Sequence, residues 1–554
     1  MSEAAHRIVR RAFLTVGDRQ VHYRSVGQGP PALFIHSSPT NSSFVLEDML
    51  AQADHYSCFA FDTPGFGLSD PLPLAEMKVA DLADAIVAAM DALGLPAVPV
   101  FGTHSGAAIA LELGYRHPAR ITGLVLDGVP IFTREEVAPL HQAYFAPLQP
   151  DIMGGHYAAT WTRFRDQSIW FPWCFRQPEN LNEYDLGAPP SIHQWCEMFF
   201  AAAAHYKPAY YAVTSYCEGA VEAAAGLAVP AIFTATDTDM LFPHLKRLPP
   251  LKAGQTIETI GTSHERKRAL TGEGFGRFGS PDAAPVVSAA VQCTDRVLRQ
   301  FVMDGARAQM IRYLGDPSRP PLILLHDAPG SSLMWVERMA ELATDHFVIA
   351  PDIPGSGESE GLAEGAELSD YAQAIWRLCD ALGVDGAVIE GRGLGASLAV
   401  EMAAGNPARC SALRIDGLLL PDPEQRFALL QNFAPPVEIE RDGAHWYRLW
   451  LRLRDSLVYW PWYDTRRVAL RRAPTRFDAD ELHAWATEVM KQRATCHHFP
   501  NAVLRHDAAV RLRDCTVPAL RIDDPLSALG AAYGERLDSL IETLEYSSIE
   551  RIPS

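Results

Sequence analysis

Residues 101–110 read FGTHSGAAIA. Histidine and serine stand side by side there, and both can attack a carbonyl or move a proton. Gly102 and Gly106 bracket His104 at two residues on either side. A sharp strand-to-helix turn needs small residues at those places, because its backbone segments pass close together. That spacing puts His104 on the tip of the turn and Ser105 one step into the helix. The rival register puts Ser105 on the tip between Thr103 and Ala107, and a β-branched threonine suits a tight turn poorly. Downstream, Asp237 and Asp239 follow the apolar run VPAIFTAT, and His264 follows QTIETI. An Asp–His pair moves protons: the carboxylate fixes the ring tautomer and steadies the imidazolium. Each residue also has a plainer reading. The aspartates can cap a turn, and His264 can be a solvated loop residue beside the charge run ERKR.

The elements that must position these residues are short. PALFIH, YSCFAFD, AVPVFG, ITGLVLDG and VPAIFTAT have the length and Val/Ile/Leu/Phe content of buried parallel strands. VADLADAIVAAMDALG has helical periodicity, with Gly94 as its stop. Strand–helix alternation predicts an α/β sheet with right-handed crossovers, and such sheets gather their functional residues at the carboxyl ends of the strands.

The chain is written twice. LFIHSSPTNSS at 33–43 returns as LLHDAPGSS at 324–332, and FAFDTPGFGLSD at 59–70 returns as VIAPDIPGSGESE at 348–360. GHYAATWTRFRDQSIWFPW at 155–173 returns as AHWYRLWLRLRDSLVYWPW at 444–462. The offset is 290 from His36 to His326 and 289 from Trp161 to Trp450. The second turn, GRGLG, carries Gly393 at the place of His104, again 289 residues on, which supports the His104 register. Two domains are therefore expected, 1–305 and 306–554. A Gly/Pro-rich linker at 271–285 and a helix at 286–302 are expected to precede the boundary. Each copy inserts an aromatic-rich segment, at about 133–225 and 421–505, expected to form a helical lid.

HSSP at 36–39, DTPGFGLSD at 62–70, the glycine-bracketed elbow, DMLFP at 239–243 and GTSHE at 261–265 occur in the order of the α/β-hydrolase superfamily. The chain resembles that superfamily twice over. The resemblance implies an α/β fold of two tandem α/β-hydrolase domains, each a mostly parallel sheet flanked by helices. It implies an Asp239–His264 dyad, Asp239 standing four residues before Pro243 as in the family's D-x-x-x-P pattern. It implies oxyanion donors in the amides near Ser37 or Ser38 and of Ser105. His36 has a structural place at the start of that loop. No cofactor is expected, and three histidines without local ligand spacing (His36, His104, His264) make a poor metal site.

Several reactions stay open. His104 can replace the usual serine as nucleophile or acid/base. Ser105, or less readily Thr103, can serve as an ordinary nucleophile. Asp239 and His264 can work alone, as in lyases and cofactor-free oxygenases. Both halves can also be ligand-binding pseudoenzymes. The default expectation is an enzyme, a hydrolase of ester or C–C bonds, acting from the first domain on a small apolar or aromatic ester-like or carbonyl substrate, with Trp170, Phe171 and Trp195 in the pocket. The second domain has Gly393 at its tip, and its counterpart of His264 would fall beyond Ser554. It is expected to be a non-catalytic partner, making an intrachain pseudo-dimer, with further oligomerisation open. The recurring Arg and Asp of the lid are expected to form buried pairs.

Composition bounds the partners. Lys and Arg total 48 against 67 Asp and Glu, a net charge of −19, which lacks the basic footprint that nucleic acid or anionic membrane requires. Nine scattered cysteines without a CxxC, and an N-terminus without an apolar core behind its basic residues, fit a cytoplasmic protein of reduced thiols.

Overall fold

The computed structural model describes residues 7–145, 147–281, 291–471, 477–524, 527–542 and 550–553. The chain divides into two compact units. One is built on residues up to Gln149 and on Ala159–Ser288, the other on Pro150–Ala158 and on residues from Ala289 onward.

The first unit holds an eight-stranded sheet. Its strands are β1 (Arg10–Val16), β2 (Arg19–Gly27), β3 (Pro31–Ile35), β4 (Ser57–Phe61), β5 (Val98–Thr103), β6 (Ile121–Asp127), β7 (Ala231–Thr234) and β8 (Gln255–Ile257). They lie in the order β1-β2-β4-β3-β5-β6-β7-β8. β1 pairs antiparallel with β2, and β2 with β4. The remaining pairings are parallel. The apolar runs of the sequence are these parallel strands. Every residue of β3, PALFI, is buried, as a strand covered on both faces requires. Full burial of each large aliphatic or aromatic side chain there contributes about 1.5–3 kcal/mol.

The second unit repeats this plan. Its strands are β9 (Thr294–Asp304), β10 (Arg307–Gly315), β11 (Pro321–Leu325), β12 (Phe347–Pro351), β13 (Ala387–Arg392), β14 (Cys410–Asp416), β15 (Ala519–Asp523) and β16 (Glu550–Pro553). The order is β9-β10-β12-β11-β13-β14-β15-β16, with the first two pairings antiparallel. Between β6 and β7 the chain forms helices from Arg134 to Gly226, and between β14 and β15 helices from Pro423 to Asp514. These are the two aromatic-rich insertions.

Two expectations fail around the junction. The segment expected as a helix over 286–302 contains β9, whose residues 294–304 pair antiparallel with β10; residues 286–290 lie outside those described. The boundary therefore falls before β9 and not near 305. Spaced Val, Leu and Phe fit either period over so short a run. The decisive signal is Gly305, which takes φ 65 in the turn between β9 and β10, as Gly17 takes φ 63 between β1 and β2. The expected linker also begins too early, since 271–278 completes the helix His264–Phe278. Gly274 in that helix is a packing residue, because a Cβ there would lie 2.8 Å from Val125 Cγ2.

Buried polar groups fix the loops at the sheet's carboxyl edge. Asp62 accepts the amides of Ser42 and Leu68 at 2.8 Å each and faces His22 Nδ1 at 2.8 Å. In the second unit Asp352 accepts the amides of Ser332 and Glu358, also at 2.8 Å. A buried carboxylate with its lone pairs filled in this way ties two loops to one point.

Candidate active site

His104 stands at the tip of the turn between β5 and the helix Ser105–Arg116. Its φ of 50 and ψ of −115 make it the only non-glycine residue with positive φ among the described residues. The two flanking glycines permit the turn. A Cβ on Gly102 would lie 2.5 Å from the Gly106 carbonyl oxygen, and one on Gly106 only 2.2 Å from that of Ile35. A strained backbone at a tip position is the kind of feature a fold keeps where a side chain must be presented.

His104 does not stand alone. Its Nε2 lies 2.7 Å from Asp239 Oδ2, and the other Asp239 oxygen accepts the Leu241 amide at 2.8 Å. The sequence-based pairing of Asp239 with His264 is thus corrected: the acid holds the elbow histidine. His264 is the first residue of the helix Ser263 caps, is exposed, and forms no hydrogen bond to Asp239. The reason is reach. An imidazole on the tip spans the gap to the β7 loop, and it occupies the oxygen a histidine after β8 would need. Asp237, the other acid candidate, is exposed.

The electrostatics follow from the neighbours. Burial works against an imidazolium at His104. The charge and hydrogen bond of Asp239, with Asp127 behind, outweigh it and bring the ring up to about 8, against the opposition of Lys267. Burial likewise opposes ionisation of Asp239, but His104 and the Leu241 amide hold it below the usual carboxylate range. Lys267 Nζ lies 3.2 Å from Asp127 Oδ2 and 3.8 Å from Asp48 Oδ1. Burial lowers Lys267, yet those two carboxylates carry it above the ordinary lysine value. Thr103 Oγ1 also donates to Asp127, at 3.0 Å. Lys267 and Asp127 went unnoticed in the sequence because Lys267 sits inside the run ERKR. Helical spacing could have found it: Lys267 shares a face with the buried Leu270, Thr271 and Gly274.

The oxyanion candidates divide. Ser105 is buried, and its Oγ accepts the Ser38 N–H. The Ser38 amide is therefore engaged within the protein. The Ser37 carbonyl accepts from Thr40 N at 3.1 Å and from His36 Nδ1 at 2.8 Å. His36 is buried, and its Nε2 accepts the Thr63 amide at 3.0 Å. With both ring nitrogens spent it is a structural residue. No group of three His, Cys, Asp or Glu suited to a metal occurs among the described residues.

A cavity of about 450 Å³ opens over this constellation. Ser37, Ser38, His104, Ser105, Asp239 and His264 all reach its wall, so the structure brings the sequence-predicted residues together even where it re-pairs them. Aromatic rings of the insertion complete it, among them Tyr144, Phe164, Phe171 and Trp195. Trp170 is the exception: it forms an isolated antiparallel bridge with Leu181 and is absent from the wall. The expected buried Arg–Asp pairs are also absent in that form. Arg163 is buried over aromatic rings, 4.5 Å from the Phe199 centroid and 5.2 Å from that of Trp173. Asp166 pairs instead with Arg176, at 2.7 Å. Cation–π contact is the alternative way to hold a guanidinium in an apolar setting. Arg452 repeats it over Trp462 at 5.3 Å in the second unit.

Comparison with known proteins agrees with the fold. A family profile described as the alpha/beta hydrolase fold matches residues 30–256 and 320–454. A proline iminopeptidase of Arabidopsis thaliana is 30% identical over 139 residues, 25% of this chain and 34% of that protein. Haloalkane dehalogenase 2 of Mycobacterium tuberculosis is 32% identical over 119 residues, 22% of this chain and 42% of its own length. The chain thus spans well under half of these curated relatives. Among solved structures, a hydrolase from Pseudomonas aeruginosa PA01 is 20% identical, with a TM-score of 0.37, covering 49% of this chain and 99% of that one. No helix among the described residues is long and apolar enough to cross a membrane. With two stretches of matching profile and two sheets of matching strand order, the chain belongs to the α/β-hydrolase fold family.

Proposed function

We propose that the first unit is the working half of a hydrolase-type enzyme, and that its reactive group is the His104 imidazole held by Asp239. The observation that carries this reading is the 2.7 Å contact between His104 Nε2 and Asp239 Oδ2. A carboxylate there accepts the Nε2 proton, which leaves Nδ1 of the neutral ring as the base or nucleophile offered to a substrate. The tip position of that ring and its place on the cavity wall support this reading. The aromatic lining fits a small apolar or aromatic molecule with an ester-like or carbonyl group to receive the attack. The helical insertion acts as its lid.

The engagement of the Ser38 amide by Ser105 Oγ favours a second reading of the chemistry. Acyl transfer needs free donors for a developing oxyanion. Proton abstraction next to a carbonyl, as in a lyase or cofactor-free oxygenase, depends less on them and uses the same dyad. The second unit, with Gly393 at the tip, is a non-catalytic partner of the first.

The first experiment is reaction of the purified chain with a fluorophosphonate, followed by peptide mass spectrometry. We expect no serine adduct, together with turnover of aryl ester or β-diketone probes that is lost in His104→Ala. A stoichiometric adduct on Ser105 overturns the histidine reading and makes the protein a serine hydrolase.

A further inference from the structure

The helical insertion of the first unit carries a cation without a carboxylate. Arg163 stands on the helix Gly155–Ile169 and is 7% exposed. The ring centroids of Tyr144, Phe164, Trp173, Phe199 and Tyr206 lie 4.5–6.0 Å from its Cζ. Ring faces offset part of the charge. They are poor acceptors for the five N–H groups that a guanidinium carries. Its Nε and Nη2 are buried with no acceptor among the described residues. Asp166, on the same helix, is taken by Arg176 at 2.7 Å. A buried charged donor left without an acceptor is costly, so it marks the place of a missing partner.

Two neighbours point the same way. Gln167, one helical turn further on, lines the cavity, and so does Phe164. Residues three and four apart share a helix face, so Arg163 lies on the face turned to the cavity. Gln167 Oε1 is buried with no donor among the described residues. Turned over, the same amide offers Nε2 to an acceptor. Trp173 Nε1 is likewise buried with no acceptor among the described residues. The repeat supplies the control. Trp462, the counterpart of Trp173, donates its Nε1 to the Phe433 carbonyl at 2.8 Å. Ser456, the counterpart of Gln167, donates to the Leu453 carbonyl at 2.7 Å. Arg452 is buried over Trp462, so the caged cation is common to both units. The open indole N–H and the open amide set the first unit apart.

We propose that the first unit takes a small aromatic or apolar carboxylate, whose anionic end is received by Arg163 and Trp173 while its carbonyl group meets His104. This names the substrate class of the reading given above and rests on it. A guanidinium fork matches a carboxylate in one plane through two parallel N–H bonds, and the Trp173 N–H adds a third donor. Tyr144 and Phe164, whose rings flank the guanidinium, are themselves in the cavity wall, so the cation stands directly behind it. The anion enters between these two rings. His104 and Lys267, in the wall itself, already face carboxylates, Asp239 at 2.7 Å and Asp127 at 3.2 Å.

The test reads binding and needs no turnover. Phenylacetate and its neutral counterpart phenylacetamide are titrated by calorimetry into the full chain, His104→Ala and Arg163→Met. Ionic strength is constant and the pH is 9, where the His104 ring is neutral. The native chain and His104→Ala bind phenylacetate about tenfold or more tighter than phenylacetamide. Arg163→Met keeps an unbranched side chain, loses that preference and leaves phenylacetamide binding unchanged. No preference for the anion in the native chain overturns the proposal. So does a preference that survives Arg163→Met, or one that disappears in His104→Ala. If Arg163→Met does not fold, Arg163→Lys replaces it, keeping the charge without the fork. The preference then falls about threefold or more, and an unchanged preference overturns the proposal. The two readings fail separately: a Ser105 adduct with fluorophosphonate leaves the anion site standing, and an absent anion preference leaves His104 standing.

Discussion

Replacing Asp239 by asparagine tests the electrostatic basis of the site most directly. The asparagine keeps volume and one acceptor oxygen but removes the charge that faces His104 Nε2 at 2.7 Å. His104 stands at about 8 against an ordinary value of 6.5. That interval corresponds to about 2 kcal/mol of net preference for the cation. The His104 side chain is 38% exposed, so solvent screening reduces its share in stability to about 1 kcal/mol. The raised value means this stability is fully present below pH 6.5 and is lost as pH rises through about 8. In Asp239→Asn the burial of the ring and the charge of Lys267 remain, opposed only by Asp127. The His104 midpoint then falls to 6.5 or below. Histidine ring ¹³C NMR over pH 5–9, with His104→Gln for assignment, reads both values. Any turnover that needs the neutral ring rises with pH through the same midpoint and shifts with it in the variant. A native His104 titrating at or below 6.5, or a midpoint unmoved by Asp239→Asn, refutes the reasoning.

Other perturbations separate the remaining roles. His264→Ala retains activity within a few-fold of native, because the exposed ring does not meet Asp239; a hundredfold loss of kcat would restore His264 to the mechanism. Lys267→Met leaves the buried Asp127 without its cation and Asp48 with Arg268 alone. It costs about 3–5 kcal/mol in denaturant unfolding and raises the His104 midpoint, since the opposing cation is gone. Asp327→Asn stabilises the second unit near neutral pH. The native carboxyl, up from 3.8 to about 6, makes stability fall as pH rises between those values. The variant lacks that slope and gains at most about 3 kcal/mol above pH 6, measured by urea unfolding at pH 4.5 and 7.5.

The sequence alone determined the tandem α/β plan and the tip of the elbow. Both rest on local constraints: buried strands must be apolar runs, and a turn in which an added Cβ would meet the facing backbone at 2.5 Å or less must have glycine on each side. The repeat then confirmed the register, with Gly393 on the His104 backbone. The nature of β9 was legible too, but in Gly305 rather than in the apolar spacing that suggested a helix. Which histidine meets the acid was not legible. His104 and Asp239 are 135 residues apart, and His264 had the expected place in the chain order. The choice depends on side-chain reach and on a carboxylate having only so many lone pairs to share. The same holds for Asp327. In the sequence it is one aspartate beside a histidine, and only the folded chain brings its oxygen to two amides 67 and one residues away. Local rules of backbone geometry are written along the chain. Pairings between distant polar groups are settled by the tertiary structure, which decides whose charge fills each desolvated donor.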